Sequence, residues 1–233
     1  MCSSDLPQKV ERCQIQFWSV PCDPVEFGTS VALSADGNLL AVGAPQEGTK
    51  GVRFGAAPDV SGTGAIHTYV RSNGTWAEDA HLKGRGPDAN GKSFLIGGQV
   101  ALSNDGTTLA TIGDRGDIYV LTRVAGSWGQ PLAVWQPPPN TFVPGFALSG
   151  DGKTLAYAAS TVKGDRFSER VEEIRLQTLT HSDGAWTEET VLTVSGSKLP
   201  WYSIDYVSLS RDGRPLATGV MSDSSNAVRI NGD

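Results

Sequence analysis

The chain has 233 residues, 28 of them glycine and 13 proline, with 39% hydrophobic residues, 19% charged residues and a formal net charge of −6. So many residues that interrupt regular structure exclude a helical bundle or coiled coil, while the hydrophobic share excludes a disordered chain. The acidic balance advertises no surface for nucleic acid, and no apolar run approaches the roughly 18 residues of a membrane helix, so neither partner is expected of this segment.

At the amino end, Met1-Cys2-Ser3-Ser4-Asp5-Leu6 looks like a translated sequencing adapter, so residues 1–6 are set apart from the fold as an expected artefact of a frame cut from a longer gene. Residues 7–22 carry a strand-like segment, Gln8 to Trp18, with no strands ahead of it to pair with. Cys13 and Cys22 can pair in an oxidising compartment or stay as two thiols, and their spacing is not that of a metal site.

From there a repeat organises the chain. Val31-Ala32-Leu33-Ser34-Ala35-Asp36-Gly37 returns as Val100-Ala101-Leu102-Ser103-Asn104-Asp105-Gly106, as Phe146-Ala147-Leu148-Ser149-Gly150-Asp151-Gly152 and as Val207-Ser208-Leu209-Ser210-Arg211-Asp212-Gly213. Apolar runs follow at 39–44, 109–112, 155–159 and 216–220. Apolar runs on both sides of Asp-Gly predict a tight hairpin of strands A and B, because Asp and Gly tolerate the positive φ of such turns. Strand C follows at Ile66 to Val70, Ile118 to Thr122, Ile174 to Thr178 and Val228 to Ile230. Asn73-Gly74, Ala125-Gly126 and Asp183-Gly184 then mark a second turn, each just ahead of Trp76, Trp128 or Trp186, and Leu82, Val134 and Leu192 mark strand D.

A four-stranded antiparallel meander cannot bury both its faces alone, so its copies must stack, and radial stacking of such units is a β-propeller. The expected fold is all-β: a propeller of about four blades at 27–84, 91–137, 140–196 and 199–233, the last without strand D. Either the 7–22 segment supplies that strand and closes a four-bladed ring, or both ends are cuts in a longer propeller. The recurring tryptophans are read as packing between blades.

Phe27-Gly28 through Leu39-Leu40-Ala41-Val42-Gly43-Ala44-Pro45, with Gly64 to Arg71 and Gly74-Thr75-Trp76, resembles the FG-GAP repeat as found in bacterial exported proteins. Later blades keep Leu-Ser-x-Asp-Gly, with Ile96-Gly97 and Gly113-Asp114 as remnants of the two name-giving motifs. Tryptophan-aspartate repeats share the Asp-Gly hairpin, but no Trp-Asp dipeptide ends a strand here. The resemblance implies a propeller like the integrin α-subunit head, used outside the cell or at its surface for adhesion or ligand recognition. Some members of that family bind calcium in the A–B loop. Here each such loop has one acid, Asp36, Asp105, Asp151 or Asp212, against the 6 to 8 oxygens that calcium takes, so a plain turn is expected.

Other motifs have simpler explanations. Gly86-Pro87-Asp88-Ala89-Asn90-Gly91-Lys92-Ser93 fits a P-loop, but the glycine-containing run after it leads into a hairpin, not the helix a P-loop requires. Arg115-Gly116-Asp117 is the tripeptide that integrins read, here by coincidence; Asn73-Gly74-Thr75 is turn chemistry before it is a glycosylation site. His67, His81 and His181 lie on separate elements without metal-site spacing, and Glu172-Glu173 and Glu188-Glu189 are read as solvent-facing. No catalytic residue, cofactor or metal is expected.

In a meander the A–B and C–D turns leave one end and the B–C and D–A connections the other. The second set varies in length, with B–C connections at 46–64 and 161–172 but almost none in the second blade, and variable loops on a regular scaffold are where recognition concentrates. The candidate ligand face comprises Lys50, Arg53, Asp59, Asp114, Arg115, Asp165, Arg166, Trp201 and Tyr202. The function expected is non-enzymatic binding of a protein or glycan. A propeller-type lyase or glycoside hydrolase and a purely structural spacer are the alternatives.

Overall fold

A computed structural model describes residues 26–47, 63–84, 95–113, 116–163, 170–199, 204–213 and 216–220. Among these residues there is no helix, and the strands pair antiparallel. The 7–22 segment and the P-loop pattern lie outside the described residues; from Leu95 the chain runs without helix into the next strand. The chain forms two compact units, Met1–Val100 and Ala101–Asp233.

In the first unit, β1 (Val31–Leu33), β2 (Leu39–Ala44), β3 (Ala65–Ser72) and β4 (Thr75–Lys83) pair in chain order. In the next sheet, β5 (Gln99–Leu102), whose first two residues fall in the first unit, β6 (Thr108–Ile112) and β7 (Ile118–Val124) are followed by a last strand in two pieces, β8 (Ser127–Trp128) and β9 (Leu132–Trp135), both on β7. The break falls at Gly129-Gln130-Pro131, where proline has no N–H for the ladder. The next sheet places β10 (Thr141–Phe142) and β11 (Phe146–Leu148) on β12 (Thr154–Lys163), followed by β13 (Arg170–Ser182) and β14 (Ala185–Leu199). A hairpin of β15 (Ile204–Leu209) and β16 (Leu216–Val220) ends the described chain. Within the connection expected at 161–172, the described residues 161–163 and 170–172 are strand, because a bulge after Thr161 lets Val162 pair with Val171 and Lys163 with Arg170.

The A–B turns are built differently from the expected Asp-Gly pair. Only the glycine has positive φ, 71° at Gly37 and 68° at Gly106, and the Gly37 N–H closes the turn on the Ser34 carbonyl at 2.9 Å. Ser34 Oγ accepts the Leu39 N–H at 2.9 Å and donates to Asp36 Oδ1 at 2.5 Å, while that oxygen also accepts the Asn38 N–H at 3.0 Å. The same relay recurs at Ser103–Asp105 and Ser149–Asp151, and Ser210 donates to Asp212 at 2.6 Å. Hydrogen bonds led by that from the serine hydroxyl hold the Asp36 and Asp105 carboxyls below their ordinary range.

At the C–D turns both central residues have positive φ: 51° and 83° at Asn73-Gly74, 49° and 81° at Ala125-Gly126, 52° and 79° at Asp183-Gly184. Each following tryptophan faces its cross-strand neighbour. The Arg71 guanidinium lies 6.0 Å from the Trp76 ring centroid, Arg123 lies 5.9 Å from Trp128, and the His181 ring lies 5.1 Å from Trp186. The recurrence therefore reflects stacking within the hairpin. Trp186 packs on the neighbouring sheet's core as well.

Backbones meet closely where the first repeat has its glycines. The Gly28 N–H donates to the Gly43 carbonyl at 2.9 Å, and a Cβ built on Gly43 would stand 2.1 Å from the Gly97 carbonyl oxygen. Gly97, at φ 95°, has equally little room: its Cβ would stand 2.4 Å from the Ala65 carbonyl oxygen. Ile96 beside it is fully buried.

In the second unit, alternation along β12 shows how sheets stack. Leu155, Tyr157 and Ala159 join a core with Ala110, Ile112, Ile118 and Val120 of the preceding sheet. Ala156 and Ala158 point the other way with Ile174 and Leu176, and Val207 and Leu209 of the following hairpin pack there. A strand buried on both faces needs a continuous apolar run, which is what 155–159 is. Antiparallel sheets stacked face on face are the blade arrangement of a β-propeller.

Replacing Gly97 with alanine is expected to cost about 2–4 kcal/mol by urea denaturation, from strain and overlap together. The same change at Gly74, with open space around it, is expected to cost about 1–2 kcal/mol; equal losses would contradict the close approach. Ser103→Ala deprives the Thr108 N–H of its acceptor and is expected to cost about 1–3 kcal/mol. The depressed Asp105 carboxyl stabilises the fold above the unfolded pKa of about 4 and stops doing so as pH falls through its lower folded value, so S103A should lose less stability across that acid window than the parent.

Candidate functional site

In the first sheet, His67 on β3 and His81 on β4 are direct cross-strand partners. The pairing depends on a bulge. From the Asn73-Gly74 turn the register runs Ser72 with Thr75 to Tyr69 with Glu78, then shifts so that Thr68 faces Ala80 and His67 faces His81. Asp79 is the extra residue, and its Oδ2 accepts the Thr68 hydroxyl at 3.0 Å. Without that shift His67 would face Ala80. The two imidazoles stack with centroids 4.3 Å apart at 16°, and Phe27 meets His67 edge-on at 5.2 Å.

Glu47 completes the group from the start of the B–C connection. Its N–H donates to the Ala44 carbonyl and its own carbonyl accepts the Gly64 N–H, both at 3.1 Å, which folds the residue back beside β3. Glu47 Oε2 lies 2.6 Å from His67 Nε2, and Glu47 Oε1 lies 2.6 Å from His81 Nε2. Burial works against the ionised carboxyl, but hydrogen bonds and charge from His67 and His81 outweigh it and hold Glu47 below the usual carboxylate range. An ionised carboxylate only accepts, so both imidazoles carry a proton on Nε2. On the far side, His67 Nδ1 faces Glu78 Oε1 at 3.5 Å. His67 is 7% exposed, while the His81 side chain is 35% exposed, so the cluster is closed at one end and open to solvent at the other. It lies where β2 ends, β3 begins and β4 ends, at the end of the sheet from which the B–C and D–A connections leave.

The third sheet treats the corresponding position differently. Gln177 stands there in place of His67, and its Nε2 donates to Glu188 Oε1 at 2.6 Å. The same oxygen accepts Trp135 Nε1–H at 2.8 Å and the Tyr157 hydroxyl. Burial, then the hydrogen bond to Glu188 and its charge, pushes the Tyr157 phenol up. Glu188 is exposed, as its pairing with Glu189 in sequence suggests, and it is also the acceptor for three neighbours. Glu173 pairs with Arg175.

Lys50, Arg53, Asp59, Asp114, Arg115, Asp165, Arg166, Trp201 and Tyr202 all lie outside the described residues. The cluster of Glu47, His67 and His81 escapes sequence reasoning because no local spacing joins its members. The available signal is the hairpin count from Asn73-Gly74, and that is off by one until the bulge is known.

No family model matches the sequence, and no curated protein matches it. Among solved structures, Kuenenia stuttgartiensis hydrazine synthase is similar at 14% identity and TM-score 0.48, over 82% of this chain and 43% of that one. The Myceliophteria thermophila Cps50 (Swd1) β-propeller domain is similar at 14% identity and TM-score 0.47, over 82% and 47%. An oligogalacturonate lyase is similar at 13% identity and TM-score 0.47, over 83% and 45%. The chain spans less than half the length of each.

His67→Ala removes a buried ring stacked on two neighbours and leaves Glu47 one donor short, so it is expected to cost about 2–4 kcal/mol in urea denaturation with chelator present. His81→Ala, nearer solvent, is expected to cost about 1 kcal/mol. The reverse ranking would contradict the placement of the two rings.

Proposed function

We propose that the chain is a non-enzymatic recognition domain of the FG-GAP repeat type, working outside the cell or at its surface. It takes a protein or glycan partner on the end of its sheets from which the B–C and D–A connections leave. The observation that supports this reading most is how polar side chains divide between the two ends of the first sheet. At the A–B end, Ser34 and Asp36 are committed to closing their own turn. At the other end, Glu47, His67 and His81 form a polar group that no hairpin turn requires, with one side open to solvent. The FG-GAP reading draws support from Gly28 and Gly43, whose backbones touch at the position of the name-giving motifs.

Immobilised glycans and purified secreted proteins, screened with the whole chain, should yield a binder. Its affinity should fall at least tenfold on alanine substitution of Arg53, Arg166 or Trp201 and stay unchanged in Thr75→Ala at a C–D turn. Binding that survives the first set and is lost with the turn variant would overturn the assignment of the face.

A further inference from the structure

We propose that Glu47, His67 and His81 form a binding site for a divalent first-row transition metal, zinc(II) above all, with at least one coordination position left for an outside ligand. This goes beyond the recognition reading and stands whether or not that reading holds.

Three features carry it. The first is convergence: one ligand atom from each of the three residues lies within 4.8 Å of the others. Two imidazole nitrogens and a carboxylate make a donor set suited to zinc, whereas calcium and magnesium require oxygen ligands throughout. The second is fixation of the donors. His67 is held between the His81 ring and the Phe27 edge, and the Glu47 backbone is held by hydrogen bonds to Ala44 and Gly64. The N···O separations of 2.6 Å need to widen to roughly 3.3 Å, the ligand spacing that bonds of about 2.0 Å give around a tetrahedral ion, and the two rings, stacked at 16°, need to tilt so that both in-plane Nε2 lone pairs meet at the ion. The third is the outer partner. Metal binding displaces the Nε2 protons, each imidazole then carrying its proton on Nδ1, and at His67 that nitrogen faces the Glu78 carboxylate at 3.5 Å. A carboxylate behind a ligating histidine orients the ring and raises its basicity. Three protein ligands leave the fourth tetrahedral position open, on the side where His81 reaches solvent.

The Glu188 group shows the contrast. Its acid receives Trp135, Tyr157 and Gln177, all neutral donors with no lone-pair nitrogen to offer a metal, so it is a hydrogen-bond network and not a ligand set.

The test is calorimetric titration of the untagged, chelator-stripped whole chain with zinc chloride, and with calcium chloride in parallel. One equivalent of zinc should bind with micromolar or tighter affinity and calcium should not compete. His81→Ala and Glu47→Gln, whose retained fold is checked by circular dichroism, should each weaken zinc at least 100-fold, and Glu78→Gln about tenfold. Cobalt(II) in place of zinc should give the visible absorption of a four-coordinate ion without thiolate charge transfer. Absence of saturable zinc binding would overturn the proposal. So would zinc binding that H81A and E47Q leave unchanged, or a cobalt spectrum showing thiolate ligands.

Discussion

A serine hydroxyl that accepts a hydrogen bond from one backbone N–H and donates its own to a carboxylate closes three A–B hairpins among the described residues. Ser34, Ser103 and Ser149 each take the first N–H of strand B and each donate to the aspartate two residues on. Because the acceptor is charged and the donor buried, the geometry admits little slippage. That fixes which residues of strands A and B face one another. A slip by one residue would turn Leu155, Tyr157 and Ala159 away from the sheet they pack against and put Ala156 and Ala158 in their place. The stacked core of the second unit therefore rests on a polar interaction at its margin.

Register has a different consequence at the C–D hairpin of the first sheet. The Asn73-Gly74 turn alone would set His67 opposite Ala80, and the Asp79 bulge moves His81 into that place. A similar bulge occurs in the third sheet two residues later relative to the tryptophan, between the pairs made by Gln177 and Leu176. There the position opposite is filled without a histidine, and a glutamine, a tyrosine and a tryptophan converge on Glu188. One scaffold thus carries two polar groups at related positions, one a set of neutral donors around Glu188 and one of two histidines around Glu47.

Much of the fold was legible in the sequence because turn chemistry is local. Asn73-Gly74 and Asp183-Gly184 announce left-handed turns, and even Ala125-Gly126 adopts one, since the repeat frame overrides the cost of positive φ at alanine. The apolar run 155–159 announced a strand buried on both faces. The A–B aspartates were legible as turn residues but not as acceptors for a serine two positions earlier, because the Asp-Gly pair masks the Ser-x-Asp relay. The extension of β12 and β13 past Thr161 rests on another bulge, and an extra residue in a strand leaves no mark in the apolar pattern. The candidate site was the least legible part. His67 and His81 lie on different strands, Glu47 lies on a third segment, and a single inserted residue decides whether they meet.

The central claim is therefore one of register: His67 faces His81 across β3 and β4, with Glu47 spanning both. Interstrand nuclear Overhauser contacts in the metal-free whole chain measure this directly. The account predicts ring-to-ring contacts between His67 and His81 and backbone contacts pairing Thr68 with Ala80. Contacts that place His67 opposite Ala80 instead would show the strands unbulged and would contradict the account.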